Sequence, residues 1–175
     1  MHRGIWAAYF GAVAVCAAVV ALPAVAGHEK GWNLSFGAAG EAGAADVGLP
    51  LYPGSRPHMN KDHDSSAAHV WASAGPFGLK VAVVELETAD APDKVAGFYR
   101  PALGKYGALL DCSAGVHSNR GHVSGELNCD SDSPDRGELV FKAGRDQDQH
   151  IVAVKPNGQG SIIDLVYVHL EGLGG

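Results

Sequence analysis

Apolar and polar positions divide the chain into an apolar leader, a glycine- and alanine-rich stretch, and a region of short strands around one helix. Behind MHRG, Ile5 to Leu22 run without a charge, the pattern of a secretion signal or a membrane anchor. Between Gly27 and Gly48 large side chains are sparse, and Trp32, Leu34 and Phe36 alternate; this predicts a flexible lead holding one short strand. The prolines at 50, 53 and 57 then force an extended, turning path. Ala67 to Ala74 and Leu79 to Thr88 predict a hairpin around Gly75-Pro76. In its second strand Val84 and Leu86 share one face and Glu85 and Glu87 the other.

Helical periodicity appears between Thr88 and Gly107. Val95, Phe98, Tyr99, Ala102, Leu103 and Tyr106 fall on one helical face, which must pack on a sheet. Asp90 has the chemistry of an N-cap, Pro92 fits the first turn, and Asp93 suits the positive end of the helix dipole. Pro101 removes the bond to the Gly97 carbonyl and predicts a bend, and Gly107 predicts the stop. Further strands are predicted at about 108–112, 123–129, 138–143, 149–155 and 161–170. The whole predicts an α+β fold: a mostly antiparallel sheet of about six or seven strands packed on one main helix (about 90–106), with a right-handed crossover available across that helix.

The leader closes on Pro23 and Ala24-Val25-Ala26, the small-x-small pattern of a signal-peptidase site. The expected organisation is a signal peptide over 1–26, a flexible lead over 27–48 and a single domain over 49–171. Cleavage would leave about 150 residues, enough for one core. The alternative is an uncleaved anchor holding an envelope structural protein. Cleavage removes only Arg3 from 13 basic residues and spares all 19 acidic ones. Such a balance argues against nucleic acid, which needs a basic footprint, and supplies no polybasic patch for a membrane surface once the leader is gone. The expected location is secreted or periplasmic. There the surviving pair Cys112 and Cys129 is expected to form a disulfide, and without CxxC spacing the pair does not suggest zinc.

YPG at 52–54, APDKVAGFYRPALGKYG at 91–107, KAG at 142–144 and QHIVAV at 149–154 resemble a family of small exported bacterial proteins of unknown activity. The likeness covers roughly residues 47–170. It implies export and a single domain with a similar cysteine pair, and assigns no catalytic residue.

Candidate chemistry centres on histidine, with nine in the chain. His58, His63 and His69, with Asp64 between them, offer imidazole and carboxylate ligands of the kind zinc or copper takes, although their spacing matches no ligand helix or finger. Asp146 and Asp148 read as turn residues. His150 enters the next strand, and its neighbours depend on how the following hairpin closes. A two-residue turn at Asn157-Gly158 sets His150 opposite Leu165, beside Ile163 and Tyr167, at the core. A wider loop over Pro156 to Gly160 sets it opposite Val166 with Asp164 diagonal, a polar pair suited to a ligand. No G-x-S-x-G elbow, S-x-x-K or phosphate loop is present.

The expectation is a non-enzymatic module without a cofactor, binding a small molecule or an envelope protein on the sheet face that the helix leaves uncovered. The alternative is a metal-binding protein or metal-dependent hydrolase using the clustered His and Asp.

Overall fold

A computed structural model describes residues 34–38, 42–59, 66–74, 76–113, 125–130 and 132–172. Its elements in chain order are β1 (Leu34–Ala38), α1 (Ala44–Val47), β2 (Arg56–Pro57), β3 (Ala67–Ala74), β4 (Phe77–Thr88), α2 (Pro92–Leu103), β5 (Leu110–Asp111), β6 (Leu139–Arg145), β7 (Asp148–Asn157) and β8 (Gly160–Glu171). A 3-10 turn, Gly104–Tyr106, extends α2. The strands form one sheet in the order β1-β3-β4-β8-β7-β6-β5, with β2 beside the far end of β4. All neighbours are antiparallel. The α+β class and the predominantly antiparallel sheet are as the sequence predicts. The crossover takes the chain from β4 through α2 to β5 at the opposite edge.

Helix α2 lies on one face because its apolar stripe has nowhere else to go. Val95, Tyr99 and Leu103 are fully buried against Val152, Val154, Ile163 and Leu165 of the central strands. Each of the aliphatic side chains among them contributes about 1.5–3 kcal/mol through burial. Tyr52 joins this core, its ring 5.2 Å from that of Phe98. The helix is capped by Ala91, with Pro92 at its first position, and not by Asp90. The Asp90 carboxylate is taken instead by the Tyr52 hydroxyl at 2.8 Å and the Lys94 ammonium at 2.8 Å.

Two stretches differ from the sequence reading. The end of the expected lead is structural: Val47, like Leu49 after it, is buried in the main core, while β1 is the one short strand expected in the lead and pairs with β3. Conversely, residues 125–129 form turns where a strand was expected. Gly125 takes φ +84, the Asp130 amide donates to the Asn128 side chain, and Cys129 is drawn to Cys112 by a disulfide. That bridge spans 17 positions, and with Leu110 and Val140 it makes a second, smaller core on the opposite face from α2. A disulfide is compatible with an oxidising location. Among the described residues no helix is long and apolar enough to cross a membrane.

Candidate functional site

Strand register sorts the predicted site residues onto two faces. On the helix-covered face, His69, Ala82, Tyr167, His150 and Ala143 stand in one row across five strands, each the direct partner of the next. His150 is 6% exposed and lies between the rings of Tyr106, at 3.5 Å, and Tyr167, at 4.8 Å. Its Nδ1 is 3.0 Å from the carbonyl of Val47. A carbonyl only accepts, so the ring proton sits on Nδ1. Burial pushes the imidazole below its ordinary pKa, against the weaker opposing effect of the Val47 bond. The Tyr106 hydroxyl donates to the carbonyl of Gly48. Gly48 has φ +69, and a Cβ there would stand 2.9 Å from that hydroxyl and 3.0 Å from His150 Cε1. Tyr106 and His150 therefore clasp the segment that leaves α1.

One row further out the same face becomes charged: Trp71, Lys80, His169, Asp148 and Arg145 are successive partners. His169 lies 3.6 Å from Asp148 and 3.7 Å from Glu171. The Lys80 ammonium stands 5.9 Å from the Tyr167 ring centre. Burial, and then the Asp148 carboxylate, push the Tyr167 phenol up to about 12. His69 has Nδ1 4.0 Å from Asp46, while its Nε2 is buried without a hydrogen-bond partner.

The opposite face carries a charged belt. Glu85 and Asp164 are direct cross-strand partners, an arrangement that costs stability unless cations intervene. Lys155 bonds Asp164 at 2.7 Å and approaches the buried Glu138 at 3.9 Å. His58 places Nδ1 2.7 Å from Glu87 and Nε2 3.7 Å from Glu85, and Arg56 meets Glu87 at 2.5 Å. Hydrogen bonds from His58 and then Arg56 hold the Glu87 carboxyl below the usual range. Burial raises Glu138, against the bond its carboxylate accepts from the Asp135 amide. Burial also works against the Lys155 charge, but Asp164, then Glu138 and Glu85, outweigh it and raise its pKa. Beside the belt a cleft of about 420 Å³ opens between Gly54, Arg56, Glu87, Thr88, Asn157 and Gln159.

Past Glu85 and Asp164 this face turns apolar. Val83 and Val166 are partners, then Val70, Val81 and Val168, then Ala72, Leu79 and Leu170. None of these belongs to either core cluster. Val70 is 46%, Leu79 39% and the neighbouring Phe77 42% exposed. This patch is a sheet surface that no described segment covers.

No family model, curated protein or solved structure matches this chain. Its function is read from the chemistry of these two faces.

Both ligand groupings expected from sequence are taken apart by the fold. His150 faces neither Leu165 nor Val166 directly but Tyr167, because the β7–β8 turn is Gly158-Gln159, with Asn157 opposite Gly160. Asp164 pairs with Ala153 on the other face, so His150 and Asp164 do not meet. The proposed metal trio is divided as well: His58 joins the belt, His69 lies on the helix-covered face, and His63 is outside the described residues. Among the described residues, Cys112, Cys129 and Asp132 are the one trio whose ligand atoms lie within 4.8 Å of one another, and its two sulfurs are bonded together. Lys155, Glu138 and Tyr106 were missed as site residues. Tyr106 alone left a signal, as the last position of the apolar helix stripe.

Proposed function

We propose that the chain is an exported, non-enzymatic binding module whose partner seats on the sheet face opposite α2. The observation that supports this most is the apolar patch around Val81. Strand β4 reads LKVAVV and β8 reads DLVYVHL, and such near-continuous apolar runs are typical of strands covered on both faces. Here α2 and α1 cover one face, and the patch on the other is exposed at Val70, Phe77 and Leu79 and half-buried at Val81, Val83, Val166 and Val168. Exposed contiguous apolar surface of this kind marks an interaction site in a folded protein. The titratable groups support the same reading: His150 works as a clasp, and the carboxylates of the belt are held by Lys155, Arg56 and His58.

Nile red provides the test. The native protein is expected to bind the dye saturably. Val81→Thr combined with Val168→Thr, which keeps β-branched residues in both strands, should lower binding several-fold without altering the far-UV circular dichroism. Dye binding unchanged in that variant, or no binding by the native protein, overturns the reading. Export predicts a purified protein whose intact mass begins at Gly27, and a mass beginning at Met1 would count against it.

A further inference from the structure

Resting on that reading, we infer that the occupant of the open face is an amphipathic helix of a partner protein, with an apolar stripe and a basic last turn. Shape is the first argument. The patch runs from Ala68 to Ala74 along β3, about 20 Å at the rise of a strand, with β4 and β8 beside it. A helix of about 14 residues has that length. The sheet already accepts one helix on its other face, where α2 seats Val95, Tyr99 and Leu103 against alternate residues of β7 and β8, and β8 also carries part of the patch. A second helix would complete a layer on each side of a sheet that is apolar on both.

Charge is the second argument. The patch borders the belt along one side only, where Val83 and Val166 give way to Glu85 and Asp164 two residues on. In the belt Glu85, Glu87, Asp164 and Glu138 outnumber the permanent cations Arg56 and Lys155. The chain as a whole has net charge −6. Two copies of net charge −6 repel each other at long range, and an anionic lipid surface would be repelled in the same way. Lysine or arginine in the last turn of a helix meets the belt and also suits the negative end of its own dipole.

Two synthetic amphipathic peptides with the same leucine and alanine stripe test the inference, one ending in three lysines and the other in three glutamates. By fluorescence anisotropy the native protein is expected to bind the lysine peptide about tenfold more tightly than the glutamate peptide. Glu85→Lys should narrow or reverse that preference. Val81→Thr with Val168→Thr should weaken both peptides, with folding checked by circular dichroism. Equal affinity for the two peptides, or a preference that survives Glu85→Lys, overturns the helix-and-charge inference. If neither peptide binds while Nile red still binds and responds to the threonine variant, the inference fails and the open-face reading survives. If neither peptide nor dye binds, both fail. Concentration-dependent dimerisation that blocks the peptides, or flotation with phosphatidylglycerol vesicles that depends on Val81, would assign the face to a second copy or to lipid instead.

Discussion

The two faces of β4 have nearly the same chemistry and different fates. Ala82, Val84 and Leu86 are buried beneath the helical layer, while Val81 and Val83, one residue away on the same strand, lie outside both cores. Titratable side chains are divided in a parallel way. On the covered face His150 is sealed between aromatic rings and kept neutral by burial, whereas on the open face His58 and Lys155 pair with carboxylates. Hydrophobicity alone therefore does not separate the core from the open face in this protein. What separates them is whether a described segment lies above.

The sharpest way to break that comparison is a matched truncation. Leu165→Ala, on the covered face, is expected to cost about 2–5 kcal/mol in chemical denaturation. Val168→Ala, three positions on and on the open face, should cost less than about 1 kcal/mol. Equal costs would mean that the open face is covered after all. Next in size is the disulfide. Replacing Cys112 and Cys129 by serine should cost about 3 kcal/mol, and the loss should leave Nile red binding at Val81 intact, since the bridge covers the β5–β6 end of that face.

Acid should separate the faces by pH window. The folded pKa of His150 lies below the ordinary 6.5, so the unfolded chain takes up the proton first. Its contribution to stability is complete above about 6.5 and is lost as pH falls toward the depressed folded value. His150→Phe keeps the ring stack and should flatten that part of a pH titration of the melting temperature. Glu87 on the open face has a folded pKa depressed from the ordinary 4.5. Its contribution is therefore complete above about 4.5 and lost only as pH falls through its lower folded value. The smallest expected effect is that of Arg56→Ala. Its side chain is 80% exposed, and a surface ion pair of this kind is worth about 0–1 kcal/mol.

Much of the fold was legible because local chemistry and tertiary packing agree. The alternation of Val84 and Leu86 with Glu85 and Glu87, the apolar stripe of α2 and the cysteine pair all act where the sequence places them. The register of β7 against β8 was not legible, and it decides the candidate site. Asn157-Gly158 is a strong turn signal, yet Gly158 occupies the first central position of the turn, with φ +62. The competing constraint is Gly160, where a Cβ would stand 2.2 Å from the Thr88 carbonyl. Close approach between β8 and the end of β4 thus fixes the hairpin from outside, and no local pattern records it. The core side of His150 remained predictable because the register differs by two residues from one of those considered, which preserves the face. The belt was invisible for a related reason: Lys155, Asp164, Glu85 and His58 lie far apart in sequence and are assembled by three strand pairings.

The clasp at Gly48 also bears on the order in which the molecule can be assembled. Val47 is held by a residue 103 positions later, and Gly48 by one 58 positions later. In a chain delivered N-terminus first, the Val47 carbonyl waits for its partner on β7, His150. The clasp closes only once the final hairpin is available, and it joins the beginning of the domain to its end.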